Sequence, residues 1–431
     1  MKHFTWDEIS RHNNNSDCWI VVDGGVYDIT NWINKHPGGE TIATLAGEDA
    51  SAMIHSCHFS DISNTLKTFK IGEIINYKPD FTIYNDRFLS TLKKRVKQYY
   101  MDQNIDYRKT NNNLKSILYT SLLLIFCWNC MYFFQPIGVL AAIPMGLATC
   151  SLIGSFGHER IHGNLLNHIK TENLFNRIVN NILWGIFIPF MPERYFQYEH
   201  IKHHNHPMNP YQDYDVYALK KFVRLSPDIK RKKYNSLQHI YAPFIYGNYI
   251  FIQVIAGYIT PFFDNRRILK DTGVIGNITM TNSIAFMFHI AIPFFLTNIW
   301  WVALCSSIYF FSWQAAIYIS SGVPHMTELN TSNYKSWSKY VCSTTKNLKC
   351  GHKFYDWLTG GLNYHLAHHL LPSIPKEHLP KIIPILKQTC KEFDYPFHTY
   401  DSFFSYYRDH YNFLLKLGNE EVPINHNSDI I

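Results

Sequence analysis

Two stretches of this chain contain no Asp, Glu, Lys or Arg: Ser116 to Gly157 and Thr281 to Pro324. Each is a little over 40 residues long, enough for two membrane spans of about 20 residues joined by a tight turn. Gln135-Pro136 breaks the first stretch and Thr297-Asn298 the second. The pattern predicts two transmembrane hairpins, four helices in all. Neither hairpin tip carries Lys or Arg, so the positive-inside rule puts the N-terminus, the loop between the hairpins and the C-terminus in the cytosol. Two further apolar runs, Val179 to Met191 and Tyr241 to Phe263, are short or broken by Pro243, Gly247 and Gly257, and are expected to be interfacial.

The rest of the chain is too polar to lie in lipid. Charged residues make up 17% of the 431 and aromatics 16%, and the mean hydropathy is −0.17. Sizeable aqueous parts must accompany the hairpins. The net charge of +7 is spread through polar segments without interleaved aromatics. That argues against nucleic acid and for a membrane surface with acidic head groups. The nine Cys are scattered and odd in number, so no disulfide framework is expected and a reducing compartment fits. Cys127 and Cys130 lie inside an apolar run and are read as small packing residues. Met1 to Ser10 has no apolar core of a signal peptide.

Residues 1–75 read as a small soluble domain. A strand-like run, Cys18 to Val22, meets the turn Asp23-Gly24-Gly25 and a second run, Val26 to Ile29. Residues 76–116 read as a linker. Within it, Asp86 to Tyr100 has helical apolar spacing and the basic cluster Lys93, Lys94, Arg95, Lys97, which suits an amphipathic helix on the bilayer or a solvated helix face. Residues 117–415 would form the membrane domain and 416–431 a polar tail.

The 23 His are the chemical signal. Three clusters stand out: His158-Glu159-Arg160-Ile161-His162, His200-Ile201-Lys202-His203-His204 and His365-Leu366-Ala367-His368-His369. Residues three or four apart share a helix face, so each cluster can aim two or three imidazoles at one place. The first begins where the first hairpin returns to the cytosol, and the third lies about 40 residues after the second hairpin. All three can therefore meet at one cytosolic membrane face. Neutral imidazole is the commonest metal ligand, and eight exceed what one ion can take. His168, His206 and His352 are not placed by spacing and are expected at the surface or behind the ligands.

Near the N-terminus, His36-Pro37-Gly38-Gly39 allows a tight turn beside a flat ligand. Trp19 to Thr30, this HPGG string and Ala46-Gly47-Glu48-Asp49-Ala50 together resemble the cytochrome b5 family over residues 3 to about 75. The resemblance implies a b-type haem between two His. The first is His36. The second is His58, nine residues beyond Asp49, with His55 as the alternative. No CxxCH is present, so the haem would not be covalently attached.

The HxxxH, HxxHH and HxxHH series resembles the membrane fatty-acyl desaturase superfamily over roughly residues 85 to 415. The resemblance implies two non-haem iron ions held by His158, His162, His200, His203, His204, His365, His368 and His369. The resemblance also implies a ninth ligand, His325, in Ser321-Gly322-Val323-Pro324-His325-Met326 after the last transmembrane helix. Glu159 would stand behind the ligands. Trp357 to Tyr364 before the third box and Leu371-Pro372-Ser373-Ile374-Pro375 after it are similar to the front-end subgroup, except that this chain has His365 where that subgroup usually has Gln.

The expected fold is a small α+β haem domain followed by an all-α multi-pass membrane domain with four transmembrane helices and a cytosolic helical cap. The expected chemistry is O2-dependent insertion of a cis double bond into a fatty acyl or sphingoid chain, presented as a lipid or an acyl-CoA. Electrons would come from an NADH-cytochrome b5 reductase through the haem, at the endoplasmic reticulum, with the active site cytosolic. Three rivals are weighed against this. A di-iron lipid hydroxylase is the nearer rival, because the same oxidant can abstract hydrogen and then rebound oxygen. A zinc protease would use His158-Glu159-x-x-His162 with Glu159 as base, but leaves both HxxHH boxes and the haem domain without a role. A non-enzymatic electron carrier would not need intact spacing in all three boxes.

Overall fold

The computed structural model describes residues 2–107, 112–165, 174–217, 219–248, 272–326 and 334–420. The N-terminal part is built on a five-stranded sheet: β1 (Lys2–Phe4), β2 (Asn13–Asn14), β3 (Asp17–Val22), β4 (Gly25–Asp28) and β5 (Lys70–Ile74), in the order β1-β5-β4-β3-β2. Asp23 and Gly24 both take positive φ, 49° and 80°, which is the two-residue turn that suits the twist of a hairpin. Val22 then pairs with Gly25. Alternation along β3 sends Cys18, Ile20 and Val22 into one core and Val21 into another. The first core is closed by two tight turns, Ile33–Lys35 and Gly39–Leu45, and by helix α1 (Ser51–Cys57).

Helix α2 (Arg87–Asp102) follows, capped by Asp86, whose Oδ1 accepts the Leu89 amide at 2.8 Å. Its amphipathic character is as the spacing indicates, but its apolar face is not turned to a bilayer. Phe88, Leu89, Leu92, Val96 and Tyr100 pack into one cluster with Trp337, Leu366, Leu370, Ile382 and Leu386. The basic cluster is divided accordingly. Lys93 is 8% exposed and donates to the His55 carbonyl, and Arg95 pairs with Glu392. A protein surface supplies the apolar partner expected from lipid.

The membrane part begins with α3 (Asn112–Phe133) and α4 (Ala142–Leu152), which runs on through a π-helical stretch, Ile153–His158, into Glu159–Ile161. Then come α5 (Leu174–Phe187), α6 (Glu193–Asn205), α7 (Gln238–Gly247), α8 (Thr272–Phe286, extended to Leu296) and α9 (Ile299–Ile317). The breaks fall at Gln135-Pro136 and at Asn298, which caps α9 by accepting the Trp301 amide at 2.9 Å. Among the described residues, three helices are long and apolar enough to cross a membrane: Asn113–Phe133, Ile137–Ile161 and Gly276–Leu296. The fourth expected span, α9, has no charged residue but includes Gln314 and several Ser, and it is not among the three. Leu118, Phe126, Phe295 and Trp300 are all more than half exposed on the outer faces, as suits lipid contact.

Val179 to Met191 does not simply lie at an interface. Trp184, Phe187, Ile188, Phe190 and Met191 are buried in the membrane-domain core beside Phe156, while Ile178 and Ile182 face outward. Of Tyr241 to Phe263, only the part up to Asn248 lies within the described residues, as the end of α7. The C-terminal cap holds α10 (His365–Leu370), α11 (Leu379–Phe393) and α12 (Phe403–Asn419). The polar tail does not start at residue 416: α12 runs to Asn419 and buries Leu417 and Gly418. Residues 421–431 lie outside the described residues.

Candidate metal centre and haem site

The nine sequence-selected imidazoles converge as two adjoining groups. His158, His162, His200, His204 and His368 bring one ring nitrogen each to within 4.8 Å of one another. His203, His325, His365 and His369 do the same. Adjacent residues on α6 serve different groups, because successive residues on a helix point about 100° apart. The groups touch where the His204 and His369 rings stack, 4.2 Å between centroids.

The nitrogens are spaced for ions. In the four-membered group the Nε2 atoms of His325, His365 and His369 form a triangle with edges of 2.9, 3.1 and 3.2 Å. In the five-membered group, His204 Nε2 lies 2.8 Å from His368 Nε2 and 3.0 Å from His200 Nε2. Two imidazole nitrogens held about 2.1 Å from one ion in perpendicular directions lie about 3.0 Å apart. His158 Nε2 and His162 Nε2 are buried with no hydrogen-bond partner in the structure. Buried polar atoms are ordinarily satisfied, so these two are donors in want of a cation. The residues present fit two nitrogen-ligated metal ions.

Protonation favours the same use. Burial, and then the neighbouring rings, hold His200, His204, His325, His368 and His369 well below the usual imidazole pKa. His162 and His365 are pushed down to about 3 for the same reason. Neutral rings keep the lone pairs a metal needs. His203 differs. Burial lowers its pKa, but the carboxylates of Asp213 and Asp215 outweigh that and lift it to about 9. Asp213 is wholly buried, and its Oδ2 lies 2.9 Å from His203 Nδ1. The carboxylate fixes the ring so that Nε2 faces the group, the arrangement that orients metal-bound His. Spacing does not single out Asp213; the only sequence hint is a pair of acids some ten residues beyond the second box.

Glu159 stands outside both groups. Its Oε2 accepts the Lys376 amide at 3.0 Å, so it is not placed as a base beside a metal-bound water. His206 is held by Asp80 at 2.8 Å, and His352 lies exposed beside Tyr355. His168 lies outside the described residues.

In the N-terminal domain His36 and His58 face one another with ring centroids 6.1 Å apart. Two axial imidazoles with nitrogens about 2 Å from one iron would put their centroids about 6.3 Å apart. Each Nδ1 is taken by a backbone carbonyl: His36 by Gly39 at 3.3 Å, His58 by Ile54 at 2.9 Å. Nε2 is then the nitrogen that each ring would offer to a shared iron. A Cβ at Gly38 would lie 3.0 Å from the His36 ring, so glycine there keeps the imidazole free to face inward. His55 turns away, bonded through Nε2 to Asp23 Oδ2 at 2.7 Å. Ile33, Leu45, Met53 and Ile54 supply an apolar lining.

Comparison with known proteins agrees with both halves. Residues 102–401 match the family described as Fatty acid desaturase, and residues 5–75 match the Cytochrome b5-like Heme/Steroid binding domain. Acyl-lipid (8-3)-desaturase B of Dictyostelium discoideum is 29% identical over 99% of this chain and 97% of its own length. Acyl-lipid (8-3)-desaturase of Physcomitrium patens is 26% identical over 98% and 93%. Fatty acid desaturase 2-like protein FADS2B of Mus musculus is 25% identical over 90% and 80%.

Proposed function

The chain belongs to the fatty acid desaturase family and carries a cytochrome b5-like domain, and from that premise we propose that it inserts a cis double bond into the acyl chain of a lipid, toward the carboxyl end. The names of its relatives, acyl-lipid (8-3)-desaturase and Delta(5) fatty acid desaturase, support that choice of substrate and position. The observation that carries the reading is the pair of adjoining imidazole groups, five and four strong. Two bound irons would supply O2-dependent removal of two hydrogens from an unactivated methylene pair, with release of water.

The chain's own residues do the rest. His158, His162, His200, His204 and His368 hold one ion, and His203, His325, His365 and His369 hold the other. Asp213 keeps the His203 ring in register. His36 and His58 would hold the haem through Nε2, and the haem would supply one-electron transfer. Seven of the nine metal-binding residues are buried, and His162 and His200 are half-buried, which limits the access of bulk water to the site. Four spans are proposed, α9 being the fourth, with both termini and the metal centre cytosolic, in the endoplasmic reticulum. An NADH-cytochrome b5 reductase is the electron source.

Lipid profiling after expression in a host without polyunsaturated lipids tests the reading. A new cis double bond on the carboxyl side of an existing one is expected. A hydroxylated product, or no product from protein carrying both irons and a reducible haem, would overturn it.

A further inference from the structure

The haem domain is seated on α6, the helix that carries the second histidine box, with a further contact at Ser373 in the turn after the third, and the seat uses both of its haem-bearing loops. Glu40 and Thr41 follow the HPGG string. Glu40 pairs with Arg194, and Thr41 Oγ1 accepts from Gln197 Nε2 at 3.0 Å. The same Gln197 amide donates to the carbonyl of Ile161, next to His162, at 3.0 Å. Glu48 pairs with Lys202 at 2.7 Å, and the Asp49 carbonyl accepts from Asn205 Nδ2 at 2.6 Å. Cys57, next to His58, gives its carbonyl to Ser373 Oγ at 2.8 Å. Ile201 packs into the haem-domain core between them.

On α6, then, one face (Arg194, Gln197, Ile201, Lys202, Asn205) holds the haem domain, while His200, His203 and His204 on the same helix line the metal groups. The second box is reached directly, the first through Gln197, and Ser373 ties the haem domain to the chain that leaves the third box. We infer that this contact is a fixed electron-transfer seat, with Glu40, Glu48, Arg194, Lys202 and Ser373 as positioning residues, so that the fused haem domain delivers electrons without leaving α6. The inference rests on the proposed function and adds the route. In each transfer one electron passes from ferrous haem, which becomes ferric, to the metal centre. Two transfers, with re-reduction by an NADH-dependent reductase between them, supply two electrons. Those, two protons and the two substrate hydrogens convert O2 to two waters.

Charge reversal tests the seat in the full-length protein. Glu40→Lys/Glu48→Lys places like charges against Arg194 and Lys202. Adding Arg194→Glu/Lys202→Glu restores opposite charges. The haem is reduced with dithionite, mixed with O2 and substrate lipid, and its reoxidation followed by stopped flow, with iron-depleted protein as the autoxidation background. The metal-dependent rate should fall at least tenfold in the double variant and return to within about threefold of the starting protein in the fourfold variant. Amide exchange over residues 39–57 should rise and fall in parallel in the iron-depleted proteins, where no turnover occurs. Iron content and the haem spectrum confirm that each variant is loaded. An unchanged rate after reversal, or an unrestored rate in the fourfold variant, overturns the seat. Contact-dependent haem oxidation in a protein that makes no double bond would leave the seat standing and overturn the proposed function instead.

Discussion

Gly154→Ala should disable the enzyme by prising apart the first and third boxes. Gly154 lies in the π-helical stretch one turn before His158, where that stretch meets the turn Thr359-Gly360-Gly361 leading to the third box. A Cβ on Gly154 would collide with the Thr359 carbonyl oxygen and sit 2.8 Å from the Gly360 Cα. The approach is reciprocal: Gly360 has φ of +60°, and a Cβ there would lie 2.5 Å from the Ser155 nitrogen. Carbon atoms rest at about 3.5 Å or more, so the helix and the turn would have to separate by at least about 0.7 Å. Both obstacles are backbone and cannot rotate aside. Overpacking of this kind costs about 1–3 kcal/mol. The functional cost is larger, because His158 and His368 share one group with ring centroids 4.3 Å apart, and a misplacement of about 1 Å at a reacting site can cost about a hundredfold. Non-haem iron per chain and double bonds formed per haem are the quantities to measure. At least a tenfold loss of product is expected with the haem spectrum unchanged. Product within twofold of the starting protein, at equal iron, would refute the idea that this glycine contact sets the separation of the boxes.

Other outcomes follow from the same geometry. His36→Ala and His58→Ala should each lose the low-spin, six-coordinate haem spectrum while His55→Ala keeps it; a normal spectrum in His58→Ala would move the second ligand. His365→Gln should retain measurable desaturation and His365→Ala nearly none, since the ring stands 2.9 Å from His325 Nε2 within a group of four; an inactive His365→Gln carrying both irons would show that an imidazole is required there. Asn14, Asn277 and Asn330 each begin an N-x-S/T sequon and should stay unglycosylated in an endoplasmic reticulum host; a glycan on Asn277 would reverse the proposed topology.

Convergence of the box imidazoles was legible because helical spacing converts directly into a shared face: His200 and His204, or His365 and His369, are one turn apart, whereas for His325 only the family resemblance pointed to the group. Division between two ions was not, since His203 and His204 are neighbours in the chain yet join different groups. Asp213 was hidden because its contact with His203 depends on how the chain folds back after α6, and carboxylates are common. The α2 helix shows the same limit. Its apolar stripe was readable, but a stripe does not say whether lipid or protein covers it, and here α11 and the third-box region do. Contacts such as Glu40–Arg194 or Cys57–Ser373 join residues more than 150 positions apart and leave no local pattern. The fourth span was inferred from absence of charge alone, and α9, with Trp300, Trp301 and Gln314, shows how uncharged and strongly apolar differ.

Metal analysis of the purified full-length protein bears most directly on the central claim that nine imidazoles hold an iron pair. The expected result is two non-haem irons per chain beside one haem iron, with the non-haem iron lost in His204→Ala and the haem retained. One zinc and no non-haem iron in an otherwise folded, haem-loaded protein would contradict it.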